Sequence, residues 1–248
     1  MLSATALRGL PEVAAGDDLA ELIAAALPAP LQDTDILVIA HKVVSKSEGR
    51  VRSLHEVRPS DRALELAREA DKDPRHVQVV LDETRNLLRA ERGVLVCETN
   101  SGFICANAGV DASNVPGADQ VVLLPTDPDA SARALRKRLR ELRGAGPGVL
   151  ITDSFGRPWR HGQCDVAIGC AGIEPLEDWR GRVDAHGREL RATWIAIADE
   201  LAAAADLARS KDALEPVVLI SGCGQYVRGS DGPGAQALIR PEQEDLFR

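Results

Sequence analysis

The stretch "GVLITDSFGRPWRHGQCDVAIG", residues 148–169, decides how the chain is read. Its opening residues, Gly148 to Ile151, form a short continuous apolar run, the pattern of a strand buried on both faces. Thr152, Asp153 and Ser154 follow at once, and Arg157, Arg160, His161, Gln163 and Asp165 lie close behind. Sheets in α/β proteins place ligands just past their strand ends, where turning backbone presents polar groups to a crevice. The stretch therefore predicts a core strand ending near Ile151, then a polar loop that begins at Asp153 and carries chemistry.

The same grammar recurs on either side. "DILVIA" (35–40) is an apolar run followed by the polar "HKVVSKSEGR" (41–50), read as a turn region. "GVLVCET" and "GFICANAG" are joined through Asn100, Ser101 and Gly102 as a hairpin, with polar "NAGVDASN" (107–114) after it. "QVVLLP" (120–125) and "PVVLI" (216–220) are further strands. Helical spacing appears over 19–27, capped by Asp17 or Asp18, and over 61–70 and 75–89, where Val77, Val80, Leu81, Thr84, Leu87 and Leu88 share a face. It continues over 132–142 and over the alanine-rich 192–209, the longest such pattern. Arg133, Arg136, Lys137, Arg138, Arg140 and Arg143 read as the solvated face of the helix at 132–142. Strands and helices mix without a strict βαβ rhythm. An α+β fold is favoured over a doubly wound sheet, with residues 1–248 as a single unit.

Composition narrows the function classes. A net charge of −8 argues against a general nucleic-acid binder, which needs clustered basic surface, yet leaves room for a phosphorylated ligand in a local basic pocket. Asp17, Asp18 and Glu21 interrupt the N-terminal apolar pattern, so no signal peptide is expected, nor any membrane span; a cytoplasmic protein is the expectation. Five cysteines without a CxxC spacing read as reduced, non-catalytic thiols.

Three polar segments carry candidate chemistry. Lys42, Lys46 and Arg50, interleaved with Ser45, Ser47 and Gly49, suit phosphate oxygens, although neither GxxxxGK[ST] nor GxGxxG occurs and a solvated basic turn fits equally. Asp111 with Asn114, and Asp153 with Ser154, each read singly as turns. Together they offer the hard oxygen donors that Mg²⁺ or Mn²⁺ prefers.

At this point the chain resembles the coenzyme F420 gamma-glutamyl ligase family (CofE). The resemblance runs through "GLPEVAAGDDLAELI" (9–23), "VVSKSEGR" (43–50), "NAGVDASNV" (107–115), "LPTDPDASARALR" (124–136), "ITDSFGRPWRHGQCDVAIGCAGIEPLEDWRGRVDAHGREL" (151–190) and "IRPEQEDLFR" (239–248). It implies a CofE-like fold with two α/β lobes, mixed sheets and an intertwined homodimer. It also implies a GTP-dependent amide ligase that adds L-glutamate, in successive gamma linkages, to the lactyl carboxylate of F420-0 through an acyl phosphate. A related phosphorylated acid as acceptor, or a nucleotide- or deazaflavin-binding module without turnover, are the alternatives.

The resemblance also distributes roles. Leu10, Pro11, Glu12, Val13, His41, Lys42, Lys46 and Asn114 would border the nucleotide, with Lys211 standing where an acidic metal ligand is found in some members. Asp111 and Asp153 would be the catalytic pair and the ligands of one Mg²⁺ or Mn²⁺, and Ser154 a ligand of a second. Potassium is implied as an activator. Arg157, Arg160 and His161 would either meet the acceptor or brace their own loop, and Arg180, Arg182, Asp184 and Arg188 are read as a structural ion network.

Overall fold

The buried runs at 35–40 and 148–151 pair with each other in a computed structural model of the chain, which describes residues 1–245 apart from Pro116, Ala118 and Lys211. In chain order the elements are β1 (Ser3–Ala6), α1 (Leu19–Ala26), β2 (Ile36–Ala40), α2 (His41–Ser47), β3 (Val51–Ser53), α3 (Asp61–Ala70), α4 (Pro74–Asp82), β4 (Thr84–Glu91), β5 (Val94–Thr99) and β6 (Ile104–Ala106). They continue with β7 (Gln120–Val122), α5 (Pro128–Arg143), β8 (Gly148–Arg157), β9 (Arg160–Ala171), β10 (Glu177–Asp178), β11 (Trp194–Ile195), α6 (Ile197–Asp206) and β12 (Val217–Ser221). The architecture is mixed α/β with several sheets, none of them closed.

Among the described residues the largest sheet runs β1-β12-β2-β8-β9. Its β2–β8 pair is parallel and its other pairs are antiparallel. Side chains of a strand alternate between faces, and β2 shows why its sequence is apolar without interruption. Leu37 and Ile39 enter a cluster with Ile23 of α1 and Leu139 of α5, whereas Ile36 and Val38 enter another with Leu201 of α6. Val149 and Ile151 of β8 join the first cluster and Leu150 the second. A third cluster, with Val77, Val80, Leu95, Cys97 and Val121, lies within residues 54–123 and binds α3 and α4 to the smaller sheets β4-β5-β6 and β3-β7.

Several expectations fail for identifiable reasons. Residues 152–165 form no loop: β8 continues to Arg157, turns at Pro158-Trp159 and returns as β9, with Ser154 opposite Asp165. Residues 41–47 form helix α2, because Val43, Val44 and Ser45 find buried positions at its inner face, and the chain breaks only at Gly49, at φ +70°. The pattern over 75–89 splits. Arg92 and Gly93, both at positive φ, make a two-residue turn that folds 84–91 back onto β5, and hairpin pairing wins over helical spacing there. The alanine-rich helix spans only Ile197–Asp206, since Trp194–Ile195 pairs with Glu177–Asp178. Among the described residues the longest helix is α5, capped by Asp127 and stopped at Gly144.

Arg136 is not on a solvated face. It is 3% exposed and donates to the carbonyls of Pro147 and Arg228 at 2.9 and 2.6 Å, with Asp231 at 2.7 Å. Nearby, the buried carboxylate of Asp129 accepts from the N–H groups of Cys170 and Ala235. Together these anchor α5 to β9 and to the C-terminal segment. The arginines at 180 and 182 are held locally, by Asp178 and Glu177 and by the rings of Trp194 and Trp179. All five cysteines are free, and burial pushes the Cys105 and Cys170 thiols up to about 12, which leaves them inert. Among the described residues no helix is long and apolar enough to cross a membrane.

Candidate active site

The site opens where β2 ends beside β8, which continues past it. Ala40 and Thr152 are register partners, so the first residue of α2 and the next residue of β8, His41 and Asp153, emerge next to each other. His41 is 2% exposed; its Nε2 lies 3.3 Å from Asp153 Oδ1, out of line for a hydrogen bond, and its Nδ1 lies 3.4 Å from Ser45 Oγ. The backbone N–H of Ala40 donates to the Pro216 carbonyl at 2.8 Å, which brings the segment before β12 to the same edge. One turn along α2, Lys46 reaches Glu12 at 2.5 Å and so ties in residues 10–13.

Asp111 arrives from elsewhere. Its N–H and carbonyl both pair with Val122, at 3.1 and 2.8 Å. Before it, Asn107, Ala108 and Gly109 sit consecutively at φ +52°, +51° and +73°. Non-glycine residues in that region are strained, and such strain persists only where surrounding structure dictates it. Here it turns the chain sharply enough to aim the Asp111 carboxylate at Lys42, 2.7 Å away. Lys42 also donates to Ser113 Oγ at 2.6 Å, and the Ser113 N–H donates to Asp111 at 2.7 Å.

These segments enclose a cavity of about 440 Å³. Leu10, Pro11, Glu12, Val13, His41, Lys42, Lys46, Asp111, Asn114, Asp153 and Ser154 all line it. Arg157, Arg160 and His161 do not; they sit on the exposed outer end of the β8–β9 hairpin, where Arg157 donates to the His161 carbonyl at 2.8 Å and so braces the ribbon. Lys211 lies outside the described residues.

The sequence reading assigned no role to the most buried charge in the cavity. Asp165 is 1% exposed and accepts from Thr152 Oγ1 at 2.9 Å, from Ser154 Oγ at 2.6 Å and from Arg209. Its signal was present in the opening stretch: once 152–165 pairs as a hairpin about Pro158-Trp159, Asp165 falls opposite Ser154. Arg209 gave no comparable signal, because its partner is 44 residues away.

Chemically, the cavity offers lysine ammonium groups for an anionic ligand and carboxylates for a hard cation. No cluster of three or more His, Cys, Asp or Glu side chains able to hold a metal occurs among the described residues. A divalent ion here would take Asp111 and Asp153 and complete its shell with water and ligand oxygens, the manner in which Mg²⁺ is usually held. The oxygen donors of both residues fit that group.

Residues 9–222 match the family described as F420-0:Gamma-glutamyl ligase. The chain belongs to this family. The coenzyme F420:L-glutamate ligase of Methanopyrus kandleri is 48% identical over 96% of this chain and 94% of its own. Its counterpart from Methanothermobacter thermautotrophicus is 44% identical over 100% and 99%, and that from Haloarcula marismortui 44% over 98% and 94%. As an F420-0:gamma-glutamyl ligase family member the chain is a ligase enzyme. The identity spans nearly the full length, and so takes in every segment that lines the cavity.

Two measurements test this geometry. A Cβ on Gly109 would lie 2.5 Å from Leu124 Cγ at a backbone angle that L residues resist. Gly109→Ala is expected to lower stability by about 2–4 kcal/mol in urea unfolding, through strain and overpacking; an unchanged midpoint would show that the turn does not hold Asp111. The second concerns acid. Burial acts to raise the Asp111 carboxyl, but the Lys42 ammonium and the Ser113 groups outweigh it and hold it below its ordinary value of 3.8. A depressed folded-state value means that the stabilisation is complete above about pH 5 and is lost as pH falls through the folded value. Asp111→Asn, which cannot titrate, should therefore show a shallower loss of stability between pH 5 and pH 2 than the parent, and identical slopes would exclude the pair as a contributor.

Proposed function

We propose that this ligase joins L-glutamate to F420-0 in coenzyme F420 biosynthesis, driven by GTP. The observation that carries the reading is the convergence of Asp111, Asp153, Lys42 and Lys46, from three separate segments, on one cavity. The relatives' names give coenzyme F420 and L-glutamate, and the family's description gives F420-0; GTP comes from the resemblance.

The reaction needs activation, because a carboxylate is a poor electrophile whose oxygen does not leave. In the proposed route a carboxylate oxygen of the acceptor attacks the γ-phosphorus of GTP; the bond to the bridging oxygen breaks and GDP leaves, giving an acyl phosphate. The glutamate amine then attacks the acyl carbon, phosphate departs with the bonding pair, and the nitrogen sheds a proton to form the amide. Lys42 and Lys46 would screen the phosphates from α2, with Asn114 beside them, and Leu10, Pro11 and Val13 would form an apolar wall against the nucleoside. Asp111 and Asp153 would hold one Mg²⁺ or Mn²⁺, which neutralises charge on the transferred phosphoryl group. Potassium is the further ion that the resemblance implies. Asp153 projects from a paired strand, so its carboxylate is fixed before substrate arrives, which is what positioning catalysis demands. Arg157, Arg160 and His161 stand at the outer end of the hairpin, where they would meet an acceptor reaching in from solvent. Further glutamates would be added in gamma linkage, with the growing tail leaving along that path.

F420-0 incubated with enzyme, GTP, Mn²⁺ and L-glutamate should gain one or more glutamate masses by mass spectrometry, with ATP supporting less. Asp153→Asn should lose at least about 1,000-fold in rate while melting within a few degrees of the parent, since the swap keeps shape and removes the anionic ligand. Near-parental turnover in a stable Asp153→Asn protein would refute the reading. We further propose an intertwined homodimer built from two-lobed chains. Multi-angle light scattering at micromolar concentration should give twice the chain mass, and a monomer there would end that proposal.

A further inference from the structure

The corner of the cavity around Ser154 is already occupied by a positive charge. Asp165 accepts a hydrogen bond from the Ser154 hydroxyl on Oδ1 and one from the Thr152 hydroxyl on Oδ2. The Arg209 guanidinium closes on the same carboxylate and on Thr152 Oγ1, 3.1 Å away. Its Nη1 donates to the Pro216 carbonyl at 3.2 Å, and Asp206 lies 3.8 Å from its Nε. The arginine side chain is 9% exposed and its carboxylate partner 1%. Its planar guanidinium fork is held here from several sides.

We infer that Arg209 supplies, as a fixed side-chain cation, the charge that a second divalent ion would bring to the Ser154 corner, so that this chain binds one divalent cation and not two. The inference rests on the reading that Asp111 and Asp153 hold the first ion.

Charge excludes a second ion from this corner. One carboxylate and two hydroxyls would be acceptable ligands for a hard cation if they stood alone. With Arg209 in place, an entering ion has two courses. It can share Asp165 with the guanidinium, at the cost of like-charge repulsion within a few ångströms, where solvent screens poorly. Or it can displace the guanidinium and leave a buried arginine charge without its carboxylate, which is the costly way to break such a pair. Either course weakens a second site by on the order of 100-fold or more. The fixed charge faces the same cavity as Lys42 and Lys46 and is the one of the three whose partner is wholly buried. It therefore remains in place when an anionic ligand arrives.

The test counts ions. Full-length protein is titrated with Mn²⁺ alone, with bound ion measured by equilibrium dialysis and the spectrum of bound Mn²⁺ by electron paramagnetic resonance. The parent should bind one ion per chain, with no spin-coupled pair. Arg209→Gln keeps hydrogen-bond donors for Asp165 and removes the charge, so it should fold and gain a second ion with a coupled spectrum. Arg209→Lys keeps the charge and should stay at one. Two ions in the parent, or one in a folded Arg209→Gln, would overturn the inference while leaving the ligase reading intact. No bound ion in the parent up to millimolar Mn²⁺ would overturn the metal reading beneath it. Should Arg209→Gln fail to fold by circular dichroism, the parent count and the Arg209→Lys count decide, a second ion in either being disqualifying.

Discussion

Ala40 and Thr152 are the last partners of the parallel pairing between β2 and β8, and this register determines what can meet in the cavity. A shift of one residue would turn every side chain of β2 to the opposite face, exchanging Leu37 and Ile39 with Ile36 and Val38 between two well-filled clusters. Each fully buried Leu or Ile is worth about 1.5–3 kcal/mol, so such a slip is strongly disfavoured. The core therefore locks the register, and the register places His41 beside Asp153. The remaining walls are tied to this edge, by the Ala40–Pro216 hydrogen bond on one side and the Lys46–Glu12 ion pair on the other.

The ion pairs of the cavity differ in how firmly they are held. Glu12 and Asp111, partners of Lys46 and Lys42, keep 56% and 43% of their side chains exposed. The lysines themselves are only 9% and 20% exposed, but when a phosphate takes them water can reach the carboxylates left behind. Asp165 and Arg209 are buried and cross-linked to Thr152, so separating them would be expensive. The cavity thus combines lysines free to turn toward a ligand with one arginine that is not.

The elements legible in the sequence were those whose burial is two-sided or whose ends are chemically marked. The apolar runs of β2, β8 and β12 could be read because both faces of the large sheet are covered. Helix α1 carried its cap in Asp18, whereas α5 was read only over 132–142 and its start at Pro128, behind Asp127, was missed. The outer half of the β8–β9 hairpin was not legible: both its faces are largely solvated, so it shows no apolar alternation and its polar residues imitate a loop. The strand β4 was hidden by the helical spacing of Leu87 and Leu88, while the deciding signal, the Arg92-Gly93 turn, is two residues long. Within the site, the segments that resemble a known family led to Asp111, Asp153, Lys42 and Lys46, and the geometry places all four on one cavity. Arg136 and Arg209 were not legible as buried, since burial of an arginine depends on carbonyls and carboxylates contributed from far along the chain.

The least regular segment of the fold has a function that regular structure would not serve. Asp111 belongs to the part of the chain that packs in the third apolar cluster, whereas Asp153 belongs to the large sheet. A continuous strand or helix leaving β6 would carry the chain along its own axis. Three consecutive left-handed residues instead fold it back within one turn, and the Asp111–Val122 bridge then fixes the carboxylate against β7. The strain of residues 107–109 is held by Lys72, which donates to the Asn107 side chain at 2.9 Å, and by Leu124, which leaves no room for a Cβ at Gly109. Two separately packed regions thereby contribute one carboxylate each to a common cavity. The distance between those carboxylates is set by core packing on both sides, and not by the conformation of either side chain alone.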